Sequence, residues 1–184
     1  MLYNFFLKRI LFFLHPEFAH DIALIIIKIS FHIPGFSYFI GRIYCVNEQK
    51  LRVNHFGLSF KNPVGLAAGF DKNAKVFNEF SAFGFGFIEI GTVTPIAQDG
   101  NPKPRLFRIK NDEAIINRMG FNNDGIDVIV NRLKKRNTDI IIGGNIGKNK
   151  TTLNDFASDD YIKCFTKLAS YVDYLVLNIS SPNT

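Results

Sequence analysis

Short apolar segments alternate with helix-like segments along the chain from Phe60 onward. The strand-like runs lie at residues 63–68, 85–92, 140–148 and 174–178, and helix-like stretches lie between them at residues 74–83, 125–136 and 159–170. This alternation favours a parallel sheet or barrel made of βαβ units. An eight-stranded barrel needs about 250 residues. The four units in this chain of 184 residues therefore predict about half of one.

One long segment interrupts the alternation. Residues 94–117 are rich in proline, glycine and charge, so we expect a long excursion from the sheet with a small hairpin at residues 105–116.

Each predicted strand ends in a polar or glycine-rich cluster. These clusters are Asp71-Lys72, Gly91-Thr92, Asn145 with Lys148, and residues 178–184. Taken singly, these residues fit structural roles better: a surface lysine at a helix start, a helix cap or a turn. Together they predict a shared pocket, because the carboxyl ends of parallel strands meet at one edge. The phosphate-loop patterns GxGxxG and GxxxxGK[ST] are absent from the sequence, which disfavours a Rossmann or P-loop protein.

The charge and cysteine content exclude some classes of site. The net charge is +6, but no run of five basic residues occurs, so a nucleic-acid interface is disfavoured. Cys45 and Cys164 are isolated, and we expect neither a metal site nor a disulfide framework. A reducing cytoplasm fits this cysteine usage.

Residues 1–42 form a distinct apolar segment, to which many of the 20 phenylalanines belong. No stretch reaches the ~20 apolar residues needed to span a bilayer, and the pattern fits a signal peptide poorly. We expect two short helices. They either pack on the main domain or lie in a membrane surface, with Lys8, Arg9 and Lys28 near the headgroups.

Six motifs carry a family resemblance. They are NPVGLAAGFDK at residues 62–72, IGTVTP at 90–95, GNPKPRLFR at 100–108, INRMGFNN at 116–123, NIGKN at 145–149 and NISSPNT at 178–184. With PEFAH at residues 16–20, they closely resemble the quinone-dependent, membrane-associated class (class 2) of the dihydroorotate dehydrogenase family. The resemblance covers the whole chain. Ser181 supports this class, because the soluble relatives place cysteine there.

The resemblance implies a (β/α)8 TIM barrel of which about the first half is present. Residues 43–184 would belong to the FMN-binding barrel, and residues 1–42 would be a small helical subdomain for membrane and quinone. The implied activity is oxidation of (S)-dihydroorotate to orotate in pyrimidine biosynthesis, with FMN accepting hydride and a quinone accepting the electrons. The alternative is a non-catalytic fragment or membrane-binding remnant of that enzyme, and we expect the 184 residues alone to be inactive.

The resemblance also assigns roles to individual residues. Ser181 would be the catalytic base, and Thr184 or a water would take its proton onward. His20 and Arg108 would line the quinone tunnel. The implied FMN contacts are Ala68, Gly69, Phe70, Asp71, Lys72, Thr92, Asn145 and Asn178. The implied dihydroorotate contacts are Lys72, Asn117, Arg118, Met119, Gly120, Phe121, Asn178 and Asn183.

The implied setting is peripheral. We expect a monomer bound through its N-terminal helices to the cytoplasmic face of a bacterial inner membrane, with membrane quinone and dihydroorotate or orotate as partners and no nucleic acid.

Overall fold

A four-stranded parallel sheet forms the centre of the molecule. The computed structural model describes residues 8–179 and Ser181. The strands of the sheet are β3 (Gly65–Leu66), β4 (Phe87–Val93), β7 (Ile141–Ile146) and β8 (Tyr174–Leu177), adjacent in that order. All three pairings are parallel, as the sequence predicts for successive βαβ units.

Two antiparallel hairpins, six α-helices and three short 3₁₀ turns complete the described elements. The hairpins pair β1 (Val53–His55) with β2 (Leu58–Phe60), and β5 (Leu106–Ile109) with β6 (Ala114–Asn117). The helices are α1 (Lys8–Phe13), α2 (Pro16–Ser30), α3 (Phe36–Tyr44), α4 (Phe77–Phe80), α5 (Ile126–Leu133) and α6 (Ala157–Leu168). The β5–β6 hairpin confirms the one predicted within residues 105–116, whereas the β1–β2 hairpin was not predicted.

The core lies between one face of the sheet and helices α5 and α6. Fully buried isoleucines from β4 and β7 contact Ile129 of α5 and Leu168 of α6 within one cluster. Because side chains alternate along a strand, the intervening positions, Glu89, Gly143 and Asn145, point to the opposite face. That face carries the polar residues of the strands.

Two sequence predictions were wrong in detail. The helix predicted over residues 74–83 shortens to α4 and a 3₁₀ turn at residues 81–83, because the Asp71 carboxylate holds the N–H groups of Lys75 and Val76 in a turn in which Ala74 adopts φ 52°. The N-terminal segment forms three helices rather than two. The third apolar patch becomes α3, which starts after Gly35 turns the chain at φ 82°.

Exposed apolar side chains characterise α2 and α3. Ile25, Ile29 and Phe39 are each more than half exposed, whereas Leu24 on the opposite side of α2 joins the core. Within residues 8–179, no helix has both the length and the apolar character that crossing a membrane requires.

Candidate active site

A cavity of about 190 Å³ opens where β3, β4 and β8 end. Its walls come from the ends of these three strands, from the last residue of β6 and from the segment that follows β6. It is lined by Ala68, Gly69, Lys72, Thr92, Asn117, Met119, Gly120, Phe121, Asn178 and Ser181. Every one of these was predicted from the sequence as a cofactor, substrate or catalytic residue. The structure therefore brings these ten of the predicted residues to one place.

Gly69 leaves room for a flat ligand at this cavity. Its φ is 103°, a conformation that side-chain-bearing residues avoid, and no atom lies within 4 Å of where a Cβ would stand. A planar ring can therefore approach the backbone after β3 closely.

Lys72 supplies the positive charge of the cavity. Its ammonium donates to Asn122 Oδ1 at 2.6 Å and lies 3.0 Å from Met119 Sδ. Burial, together with the charge of Arg105, lowers the pKa of Lys72 to about 8, while Glu17 acts in the opposite direction. A lysine held in this way can neutralise a carboxylate placed in the cavity.

Asn178 and Thr92 present amide and hydroxyl groups at the rim. Asn178 Nδ2 donates to Thr92 Oγ1 at 2.9 Å, and Thr92 Oγ1 donates to Asn145 Oδ1 at 2.6 Å. Asn145 is 6% exposed and lies behind the rim. It does not line the cavity itself but supports Thr92, which does.

Three predicted site residues lie elsewhere. Phe70 packs edge-on against His20, with ring centroids 4.8 Å apart, and faces the cavities beside α2. The buried Asp71 carboxylate accepts the backbone N–H groups of Lys75 and Val76 at 2.7 and 2.8 Å. Burial nevertheless raises its pKa. Arg118 is exposed.

Asn183 and Thr184, the predicted substrate residue and proton outlet, lie outside the described residues.

A larger cavity of about 760 Å³ lies between helices α1 and α2 and the β5–β6 hairpin. His20 and Arg108, the predicted tunnel residues, both line it. The Arg108 guanidinium donates to the Leu14 carbonyl at 2.8 Å and lies 4.5 Å from the centre of the Phe12 ring. Burial lowers the pKa of His20.

A third cavity, of about 550 Å³, joins the two regions. It shares His20, Phe70 and Arg108 with the large cavity, and its lining also includes Lys72 and Met119 of the small one. The predicted quinone residues and the predicted substrate residues therefore face a common space.

A buried ion pair beside this space was missed in the sequence. Arg105 donates to Glu17 from Nη2 at 2.6 Å and from Nε at 3.3 Å, and it also donates to the carbonyls of Asp99 and Asn101. Both side chains are under 10% exposed. Burial acts to raise the pKa of Glu17, but Arg105 and Lys103 more than offset it, and the pKa is lowered. The partners are 88 residues apart, so no local spacing reveals them.

Several motif asparagines hold loops rather than face the cavity. Asn123 bonds to Thr94 and to the Gly125 N–H, and Asn149 bonds to Thr94 and Ile96. These buried amides fix the start of the excursion against the strand ends. Asparagine content alone does not separate such residues from those that face a ligand.

Comparisons with a family model and with curated proteins agree on one family. The family model described as dihydroorotate dehydrogenase matches residues 50–184. The chain is 52% identical to the dihydroorotate dehydrogenase (quinone) of Christiangramia forsetii, over 100% of this chain and 54% of that protein. It is 51% identical to that of Idiomarina loihiensis, over 100% of this chain and 53% of that protein. The chain thus spans about half the length of these curated relatives.

Solved structures give the same result. The DHODH of Eimeria tenella in its ligand-free form superposes with a TM-score of 0.79 at 46% identity, covering 92% of this chain and 47% of that one. Its complex with ferulenol gives a TM-score of 0.75 at 43% identity, covering 92% and 45%. The four-stranded parallel sheet is accordingly part of a TIM-barrel-type α/β fold, and the chain belongs to the dihydroorotate dehydrogenase family.

Proposed function

We propose that this chain forms the N-terminal half of a quinone-dependent dihydroorotate dehydrogenase. The enzyme oxidises (S)-dihydroorotate to orotate in the synthesis of UMP and passes the electrons to a membrane quinone. One observation carries this proposal: a single cavity collects Lys72, Thr92, Asn117, Asn178 and Ser181. Since the chain spans about half of its relatives' length, we assign the activity to a protein of their full length.

The residues around Gly69 suit FMN. Gly69, next to Ala68, leaves the backbone open to a flat ring. Thr92 and Asn178 supply hydrogen-bonding groups beside it, and Asn145 supports Thr92 from behind. When bound, FMN would accept the hydride that leaves C6 of dihydroorotate.

The substrate side of the cavity matches the chemistry of dihydroorotate. Lys72 would neutralise its carboxylate, and Asn117 and Asn178 would pair with the ring amides. Ser181 would take the C5 proton. A serine is a weak base, so this step needs a route for the proton away from the site, for which Thr184 or a water is the candidate.

The large apolar cavity suits a quinone headgroup and tail. Most of its lining residues are aliphatic or aromatic, and the polar side chains are those of Lys8, His20, Arg108, Lys110 and Glu113. A quinone there would reach the cavity of Lys72 through the joining space described above.

The exposed faces of α2 and α3 support membrane association. Ile25, Ile26 and Ile29 project from α2, and Tyr38 and Phe39 project from α3. Each apolar side chain inserted into lipid stabilises binding by about 1 kcal/mol, and basic residues assist on an anionic leaflet. We place the enzyme as a peripheral monomer on the cytoplasmic face of the inner membrane, with quinone as its membrane partner.

The test of function uses the full-length enzyme. We expect one FMN per chain and quinone reduction that depends on dihydroorotate. Ser181→Ala should keep FMN but slow flavin reduction by about 10²–10⁴-fold in stopped-flow absorbance, the usual contribution of a general base. Ser180→Ala is the matched control and should retain near wild-type rates. Equal losses in both variants would contradict the assignment of Ser181.

The isolated 184-residue chain decides between a catalytic half and a non-catalytic remnant. We expect it to lack FMN binding and activity on its own. A yellow chain with stoichiometric FMN would show that the cofactor site needs no further segment.

Vesicle co-sedimentation tests the membrane role. The full-length enzyme should pellet with anionic lipid vesicles, and deleting residues 1–40 should abolish this. Equal pelleting after the deletion would refute membrane binding through these helices.

A further inference from the structure

The acidic side chain of Glu89 lies on the polar face of the sheet. Strand register aligns Glu89 of β4 with Gly143 of β7, and Gly143 with Tyr174 of β8. A Cβ on Gly143 would lie 2.2 Å from the Tyr174 ring, so the glycine makes room for that ring. Tyr174 Oη then reaches Glu89 Oε2 at 3.4 Å. Burial and the Glu89 carboxylate raise the pKa of Tyr174, which keeps the phenol protonated as a donor.

The Glu89 carboxylate determines how the Asn145 amide is oriented. Asn145 Nδ2 donates to Glu89 Oε1 at 2.9 Å. Both carboxylate oxygens of Glu89 accept hydrogen bonds, from Asn145 and from Tyr174, so a flipped amide would place oxygen against oxygen. Because Asn145 is 6% exposed, water cannot compensate for that repulsion. The amide oxygen therefore faces away from Glu89, toward Thr92.

This orientation is passed on to the rim. The Thr92 hydroxyl donates its only hydrogen to Asn145 Oδ1, at 2.6 Å. Thr92 Oγ1 can then only accept, and it does so from Asn178 Nδ2 at 2.9 Å. The backbone of Asn178 is fixed as well, since its N–H donates to Ile146 and its carbonyl accepts from Tyr161 at 2.9 Å.

We propose that Glu89 is a positioning residue that sets the hydrogen-bond polarity of Asn178 at the cavity through Asn145 and Thr92. Asn178 thereby turns its Oδ1 and one remaining N–H hydrogen toward the ligand. The site selects a ring that offers an N–H donor to Oδ1 beside an acceptor for that hydrogen. This inference rests on the proposed function, because dihydroorotate and orotate are rings of alternating N–H and C=O groups.

The test compares two substitutions of Glu89 in the full-length enzyme. Glu89→Met removes the acceptor at similar size, so Asn145 and then Asn178 can reverse. We expect the Kd of orotate and the KM of dihydroorotate to rise about tenfold, the effect of one lost hydrogen bond of ~1.4 kcal/mol. Glu89→Gln retains an oxygen for Asn145 and a nitrogen for Tyr174 Oη, and should bind within about twofold of wild type. The KM of quinone should stay unchanged in both.

Losses of equal size in Glu89→Gln and Glu89→Met, or none in Glu89→Met, would overturn the proposal. If Glu89→Met does not fold, Thr92→Val and Thr92→Ser repeat the comparison. The valine breaks the chain of hydrogen bonds and should weaken orotate binding, whereas the serine preserves it.

Failure of the proposed function is distinguishable, since a wild-type enzyme that does not oxidise dihydroorotate refutes that function alone. The Kd of FMN in the same variants then decides the role of Glu89, with a tenfold rise only in Glu89→Met supporting it.

Discussion

The N-terminal helices and the parallel sheet are both rich in isoleucine, yet they use it in opposite ways. Ile88, Ile90 and Ile142 of the sheet are completely buried, whereas Ile25 and Ile29 of α2 are about 60% exposed. One face of the sheet is covered by α5 and α6, whereas none of the described residues covers the outer face of α2. Hydrophobicity alone therefore does not distinguish a core element from one that meets another apolar phase.

The two regions also differ in how their polar groups are held. The helices are joined to the excursion segment by a buried pair of full charges, Glu17 and Arg105. The sheet holds its rim through a chain of amide and hydroxyl groups that ends on the partly exposed Glu89. Breaking a buried charge pair costs more than breaking a neutral hydrogen bond. The attachment of the N-terminal helices should therefore be more sensitive to a single substitution than the rim of the sheet.

The largest effect is expected from Arg105→Met. It leaves the Glu17 carboxylate buried without its main partner, and the free energy of unfolding should fall by about 3–5 kcal/mol. Urea denaturation measures the change. Lys103→Ala removes the outer, 65% exposed member of the same cluster and should cost less than about 1 kcal/mol. Similar losses in both variants would mean that the pair is not the essential attachment.

A matched pair of alanines tests the two uses of isoleucine. Ile142→Ala opens a cavity in the core and should lower the free energy of unfolding by about 3 kcal/mol. Ile29→Ala removes a side chain that is 63% exposed and should change it by less than about 0.5 kcal/mol. Thermal or urea unfolding compares them. A large loss in Ile29→Ala would show that this face of α2 is covered.

Lys72 lies between the N-terminal helices and the sheet, and the pH dependence of ligand binding should report its charge. Its pKa of about 8 means that the ammonium loses its proton as pH rises through that value. An anionic ligand such as orotate should then bind more weakly, with its Kd rising by up to about tenfold per pH unit above pH 8. Lys72→Arg keeps its charge, so its orotate Kd should stay flat over the same range. A wild-type Kd without pH dependence would exclude a charge contact with Lys72.

The smallest effect concerns the membrane. Ile29→Ser should reduce partitioning onto anionic vesicles by about fivefold, equivalent to ~1 kcal/mol for one inserted side chain. Ile162→Ser on α6, which is 60% exposed, is the control and should not change partitioning. Equal reductions would place the membrane contact outside α2.

Much of the fold could be predicted because the relevant signals are local. Apolar runs of strand length and the intervening amphipathic segments identified all four parallel strands and helices α5 and α6. The helix predicted over residues 74–83 failed because the decisive influence is the Asp71 carboxylate, which binds the N–H groups of Lys75 and Val76 across a turn. The β1–β2 hairpin was missed because its strands are only three residues long, too short to show a periodic pattern in the sequence.

The sequence by itself determined the class of fold and the set of residues at the strand ends, since periodicity and motif order are properties of the chain. It also carried the family resemblance. Only the tertiary structure decided which of those residues share a cavity: Asn178 and Lys72 face it, while Asp71 caps a turn and Asn149 holds a loop. The pairs Glu17–Arg105 and Glu89–Asn145 likewise join residues 88 and 56 positions apart. Hydrogen bonds act over about 3 Å in space, so such partners become evident only once the chain has folded.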